Sequence, residues 1–286
     1  MDVKTKGVIA TAIAAVCFSL AGVFIKVLPL APTSILFYRS LFCAVFFFLV
    51  FGKKSLKINK LSLIGATVFY VPLVVCFVIS TKLTTAANAI FLQYAAPAFV
   101  LLFEPIFLKT RLLRINTFTV VVCILGMAMF FMDDLEKPEN WLGVGLAFAS
   151  SIMLAGLIII QKSNDPEYHI PTIMWGNILV VLVMSPMAFT SAPPTEMQFL
   201  YLLILGFVQL GVGYLFFTYG QRHIPAIETA LIAMLEPILN PVWVMIWHGE
   251  TPGYWAVVGG MIIIGALLIR TLYTNRQKKQ SLTANV

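Results

Sequence analysis

Residues 88–108, NAIFLQYAAPAFVLLFEPIFL, and residues 228–248, ETALIAMLEPILNPVWVMIWH, are two versions of one design. Setting Pro97 against Pro237 pairs Asn88 with Glu228, Phe91 with Leu231, Tyr94 with Met234 and Phe103 with Trp243. Downstream, VVVCILGMAMF (120–130) aligns with GGMIIIGALLI (259–269), Gly126 on Gly265, across a one-residue gap. Upstream, Leu20-Ala21-Gly22 in VCFSLAGVFIK echoes Leu154-Ala155-Gly156 in SIMLAGLIIIQ. A chain that repeats itself at this spacing is built from two related units. In a membrane protein, two such halves commonly hold a transport site between them.

The composition puts those units in a bilayer. Of the 286 residues, 60% are apolar and only 11% charged, against about 25% charged in a soluble domain. Apolar stretches recur at close to the ~20 residues needed to cross a ~30 Å hydrocarbon core. The net charge of +7 sits in loops between these stretches, where it orients the chain; it is no nucleic-acid patch. Cys17, Cys43, Cys76 and Cys123 lie inside apolar runs with no CxxC spacing, so they read as small packing residues. His169, His223 and His248 are scattered at span ends. No metal and no cofactor is expected.

Breaks at Pro29 and Pro32, Gly52-Lys53-Lys54, Lys82, Lys109 to Arg114, Asp133 to Asn140, Lys162 to Tyr168, Ser191 to Thr195, Arg222-His223 and Gly249 to Gly253 leave spans at 7–28, 33–51, 61–80, 85–108, 115–132, 141–161, 171–190, 197–220, 226–247 and 253–273. The first, behind Lys4 and Lys6, is long enough to be an uncleaved helix and has a partner in the repeat. With the N-terminus cytoplasmic, 15 Lys and Arg fall inside and 3 outside, so both termini are expected in the cytoplasm. Five spans per half is odd, so the second half enters from the opposite side. The expected fold is all-α: ten transmembrane helices in two inverted five-helix repeats, residues 1–134 and 135–286.

These features resemble the drug/metabolite transporter superfamily, specifically its ten-helix EamA-type members. The resemblance rests on Phe18-Ser19 with Phe24-Ile25-Lys26 in the first helix and Tyr38-Arg39 in the second. It continues through Ala86, Ala87, Ala89 and Pro97 in the fourth, Thr229-Ala230-Leu231 with Leu235-Glu236-Pro237 and Gly249-Glu250 in the ninth, and Gly259-Gly260 with Gly265 in the tenth. The chain departs at Cys17-Phe18, where the family often has Trp-Gly, and at Leu108-Lys109-Thr110, where many members have a glutamate. The resemblance implies gradient-driven or exchange transport of a small metabolite.

Ionisable groups inside a membrane need a reason to be there. Glu236 sits mid-span before Pro237, which removes a backbone hydrogen bond. It shares a face with Glu228, Asn240, Trp243 and Trp247. It reads as a carrier of a proton or a partner for a substrate amine, or as a protonated structural residue bonding a neighbouring helix. On the fourth span Gln93, Pro97, Val100 and Glu104 share a face, with Tyr94 beside them; Glu104 reads as a gate residue or as the partner of Lys109 or Arg111. Arg39 lies about 9 Å inside the second span at ~1.5 Å per residue. It could bind a substrate carboxylate, snorkel to headgroups or pair with an acid. Gln209, flanked by Gly213 and Gly220 with Tyr214 offset, suits a cavity wall; Trp175 and Asn177 are further candidates.

No phosphate-binding, nucleotide-binding, zinc-hydrolase or serine-hydrolase signature is present, so the chain is not expected to be an ATP-driven pump or an enzyme. The expectation is a secondary transporter for an amino acid, amine or related cationic or zwitterionic solute. It would work by alternating access with proton coupling or exchange, as a monomer or homodimer in a bacterial inner membrane. Two alternatives remain: a non-transporting receptor or assembly subunit, and a membrane enzyme acting on a lipid-linked substrate.

Overall fold

The computed structural model describes residues 3–107, 109, 114–134, 141–223, 232–233 and 235–283. The described residues form helices and no strands. In chain order these are α1 (Val3–Val27), α2 (Pro32–Phe51), α3 (Lys60–Leu83), α4 (Ala86–Phe107), α5 (Arg114–Asp134), α6 (Trp141–Lys162), α7 (His169–Thr190), α8 (Glu196–Gly220), α9 (Leu235–His248) and α10 (Tyr254–Thr283). Seven of them, α1 to α4 and α6 to α8, are long and apolar enough to cross a membrane. The apolar parts of α5 and α10 are shorter, at Thr117–Gly126 and Tyr254–Arg270. The chain is an integral membrane protein, because its outward residues are apolar: Leu49, Phe189 and Met261 are 71%, 75% and 69% exposed. Such a belt is stable only against lipid.

Local chemistry starts and stops the helices. Asn59 and Ser62 form a reciprocal capping box at the head of α3, and Thr195 and Gln198 form another at the head of α8. Each satisfies two backbone N–H groups that the first turn leaves unpaired. Thr85 caps α4 by accepting the Asn88 N–H at 3.0 Å. Gly52 (φ +54°) closes α2 and Gly249 (φ +73°) closes α9, a left-handed turn that glycine takes without steric penalty. Inside the helices, hydroxyls return their protons to the preceding turn, as Thr11 does to the Gly7 carbonyl (3.0 Å) and Ser150 to Ala147 (2.7 Å).

Two helices change pitch midway. α3 is a π-helix over Gly65–Tyr70 and α8 over Ile204–Val212. Two others are interrupted: α1 at Leu20, and α4 at Tyr94-Ala95. α1 packs on α8 and α9, α3 on α6, α2 on α7, α5 on α10, and α4 on α6 and α9. Apolar attraction between helices is weak in lipid, so close approach depends on small residues. A side chain at Gly126 in α5 would meet Ile263 and the Gly259 carbonyl of α10 at 2.9 and 3.1 Å; one at Gly176 in α7 would run into the Tyr70 ring of α3.

At one end of the bundle the α2–α3 and α6–α7 connections touch. Asn59 donates to Asn164 at 2.7 Å, and Lys57 pairs with Glu167 at 2.5 Å. The hydrogen bond from Lys57 holds the Glu167 carboxyl below its usual range and raises the Lys57 ammonium above its own. That pair is half exposed and adds little stability.

Gly176→Val should lower stability by about 1–3 kcal/mol, the usual cost of overpacking, read as a lower melting temperature of the detergent-solubilised protein. Gly145→Ala, which has open space around the added methyl, should melt at or above the wild-type temperature.

Candidate functional site

Proline at position i leaves the carbonyl at i−4 without its helical donor. In α9, Pro237 does this to Ala233. That carbonyl is met from α4: the Tyr94 hydroxyl lies 3.0 Å from the Ala233 oxygen and 2.7 Å from Glu236 Oε2. Tyr94 can reach both because α4 is itself interrupted there. Its helix stops at Gln93, four residues before Pro97, and Tyr94 N–H closes the turn onto Ile90 at 2.9 Å. The two proline segments therefore meet through a tyrosine and a carboxyl group.

Around this contact stand groups from other helices. Arg39 of α2 is 3% exposed, and its Nε and Nη1 have no hydrogen-bond partner. It lies in the electrostatic field of Tyr70, Tyr214, Cys43 and Glu236. Tyr214 of α8 meets the Phe18 ring edge-on at 5.1 Å and the Tyr70 ring at 6.4 Å. Tyr70, fully buried, accepts a hydrogen bond from Asn177 Nδ2 of α7 at 2.9 Å. Gln209, in the π segment of α8, is buried with Oε1 unsatisfied. Asn240, one turn beyond Glu236, is buried with neither amide atom paired, and its carboxamide fills the space that a side chain at Gly22 would take. Trp243 donates from Nε1 to Ser19 Oγ at 2.9 Å, beside the break in α1.

Of the residues expected from sequence, Tyr94, Glu236, Arg39, Tyr214, Gln209, Asn177, Asn240 and Trp243 thus lie along the α1–α4–α8–α9 core or against it. Gln93 is half-buried at the same break. Trp175 is turned away, its Nε1 donating to the Leu56 carbonyl at 3.4 Å. Trp247 is 63% exposed and stacks on Trp243 at 5.6 Å. Glu228 and the side chain of Glu104 fall outside the described residues. Arg39 does not snorkel, because its helix turns it inward. Tyr94, Tyr214, Glu236 and Trp243 remain half-buried, so the cluster keeps accessible surface along these four. Two recesses on the outside, at Thr195 to Leu200 and a groove of about 350 Å³ between α5 and α10, do not touch it. Among the described residues no group of His, Cys, Asp and Glu could hold a metal ion.

Sequence reasoning missed Tyr70 and Ser19 as members of the cluster, and missed a second polar contact. At the bundle end opposite Lys57, Lys26 of α1 and Glu250 after α9 form an ion pair at 2.7 Å. Lys26 also donates to the Thr84 carbonyl at 2.6 Å, while Glu250 Oε1 accepts the Ala86 N–H at 2.6 Å. Nearby, Lys82 donates to the Leu28 carbonyl at 2.5 Å. The pair bolts the ends of α1 and α9 to the start of α4, and its side chains are only 13% and 17% exposed.

The EamA-like transporter family model matches residues 5–132 and again residues 141–272. A pseudopaline exporter of Pseudomonas aeruginosa is 24% identical over 278 residues, covering 94% of this chain and 96% of the exporter. A biotin transporter of Escherichia coli is 23% identical over 206 residues, 69% of each chain. A solved crystal structure superposes with a TM-score of 0.66 at 16% identity, over 96% of this chain and 99% of the other; at that identity the likeness speaks for the fold alone. The chain belongs to the EamA-like transporter family. It is a membrane transporter by family and not an enzyme.

Glu250→Gln leaves the Lys26 ammonium poorly solvated and uncompensated and should cost about 3 kcal/mol or more, measured as a drop in melting temperature. The double variant Lys26→Met/Glu250→Met should recover most of that loss.

Proposed function

We propose that the chain is a secondary transporter that moves a small metabolite, an amino acid, amine or related cationic or zwitterionic solute, by alternating access. Its helices form ten membrane crossings in two inverted repeats, residues 1–134 and 135–286. The two family matches, of similar length, support the division. So does the packing, because adding five to each helix number carries the most extensive helix contacts onto one another. Pair α1–α8 becomes α6–α3, α9–α1 becomes α4–α6, and α2–α7, α5–α10 and α4–α9 return themselves. Both π segments fall on the helices so related, α3 and α8.

The distribution of Lys and Arg places the Lys26–Glu250 end outside and both termini in the cytoplasm. The ion pair is then an outer gate, closed here. The relatives named above are called carriers of two chemically different molecules, which supports a shared carrying device around unlike substrate pockets.

The observation that carries this reading is the Tyr94–Glu236 hydrogen bond, which joins the two halves beside the Ala233 carbonyl that Pro237 leaves without a backbone donor. Tyr94 has one proton and two acceptors. When Glu236 is ionised, the carboxylate draws that proton and Ala233 loses its donor. When Glu236 is protonated, it can donate to Tyr94, which donates on to Ala233, and all three are satisfied. Proton binding thus changes how firmly α4 holds the start of α9, which is the coupling an alternating carrier needs. The charged and titratable groups facing Glu236 are Tyr94, Arg39 and Tyr214.

In proteoliposomes loaded with a mixed amino-acid and amine panel, counterflow by the wild type should vary with pH. Glu236→Gln, checked for folding by its elution profile, should lose that pH dependence. Flux in the variant that still tracks pH like the wild type would remove Glu236 from the coupling.

A further inference from the structure

A buried guanidinium without an acceptor is the most costly feature of this molecule. Arg39 has almost no exposed surface, and its Nε and Nη1 are unpaired. These two nitrogens lie on different edges of the guanidinium, and each edge can hold a carboxylate. Both edges therefore keep a free donor. The groups in its field from the neighbouring helices are Tyr70 on α3, Tyr214 on α8 and Glu236 on α9, with Cys43 one turn along α2. Among the described residues in that field only Glu236 is an acid. Its Oε2 is held by Tyr94, and among the described residues it makes no ion pair with Arg39.

A cation and an acid in one low-dielectric cluster, near enough to feel each other and not in contact, are poorly compensated. A protein selected only for stability would close that gap or remove both charges. A ligand with one charge of each sign would compensate both at once. Further unsatisfied amides stand nearby. Gln209 Oε1 belongs to the π segment of α8 that packs on the Arg39 turn: a side chain at Gly206 would meet the Arg39 carbonyl at 2.8 Å. Asn240 lies one turn beyond Glu236 with both amide atoms unpaired.

We propose that this cluster is a binding site for an amino-carboxylate, with the carboxylate on the Arg39 guanidinium and the cationic nitrogen toward Glu236 and Tyr94. The inference rests on the carrier reading above and narrows its substrate class. A plain amine or polyamine would set positive charge against Arg39. A plain carboxylic acid would leave Glu236 facing a ligand with nothing to offer it. Tyr94 and Glu236, both half-buried, form the accessible edge of the cluster.

The test is a thermal-shift titration of the purified full chain against the common amino acids, the decarboxylated amine of each and the deaminated acid of each. An amino acid that stabilises the folded protein should do so at a concentration at least about tenfold lower than either truncated analogue, the loss expected when a buried charged contact is left unmade. Arg39→Lys should keep the fold and weaken that amino acid by at least about tenfold, because a point charge lacks the planar fork. Arg39→Gln should abolish its effect. If Arg39→Gln does not fold, the analogue series on the wild type decides. An amine that binds as well as its parent amino acid, an Arg39→Lys affinity equal to wild type, or no amino-acid response would each overturn the assignment. Counterflow measured on the same preparations separates the two readings: pH-dependent flux of an amine with no need for Arg39 would sink the amino-carboxylate site and leave the carrier standing.

Discussion

Every backbone N–H and C=O in the hydrocarbon core must find a partner within the protein, since no water is there to supply one. This constraint explains where the irregular parts of the molecule are allowed. An interrupted helix facing lipid would leave bare carbonyls at several kcal/mol each. Here each interruption faces another helix. The break in α1 is flanked by Ser19, whose hydroxyl serves the Val16 carbonyl and receives the Trp243 indole proton. The break in α4 turns Tyr94 onto the carbonyl that Pro237 strips of its donor. The proline segments that repeat in the sequence are thus complementary defects, and the place where they meet is where polar chemistry becomes possible in an apolar interior.

The two ends of the bundle are held by different means. At one end, the Lys26–Glu250 pair is shielded and reinforced by the Thr84 carbonyl and the Ala86 N–H. At the other, the described contacts are the exposed Lys57–Glu167 pair and the Asn59–Asn164 hydrogen bond, which water can replace at little cost. Under the register that sets Pro97 on Pro237, the residue opposite Glu250 is Thr110, which has no charge. The duplication therefore preserved the proline breaks and not the lock. Under the proposed alternating-access reading, halves that differ in the strength of their closures favour one closed end over the other at rest, and the substrate must supply the difference.

Much of the architecture was legible in the sequence because span length, loop charge and proline are one-dimensional signals. Helix boundaries and the all-helical class follow from them directly. What failed was the reading of faces. Most of these helices are apolar on every side, so a helical wheel cannot say which side meets protein and which meets lipid. Trp247 shares the Glu236 face on a wheel yet is 63% exposed, while the inward Tyr70 is not distinguished from its apolar neighbours. The π segments in α3 and α8 add to this, since each shifts the facing of everything after it by a fraction of a turn. Arg39 was legible as costly, but whether it reached the surface depended on the rotation of α2, which glycine contacts such as Gly206 against Phe42 fix only in three dimensions.

That the arginine is turned inward bears on the role proposed for Glu236. A lone carboxyl in an apolar core would be held protonated, and nothing would make it release its proton. Here Tyr94 is hydrogen-bonded to the carboxyl at Oε2, and Arg39 belongs to the same cluster. A ligand carboxylate arriving on Arg39 would cancel part of its field and favour proton uptake at Glu236, whereas a ligand ammonium beside Glu236 would favour the charged form. With an amino-carboxylate, the two effects oppose each other. The direction of proton movement on binding would then depend on which end of the ligand sits closer to Glu236, and so on the length of the chain between its two charges. Under the proposed carrier reading, substrate geometry and proton coupling are one problem, set by the separation of two charges that the fold keeps apart.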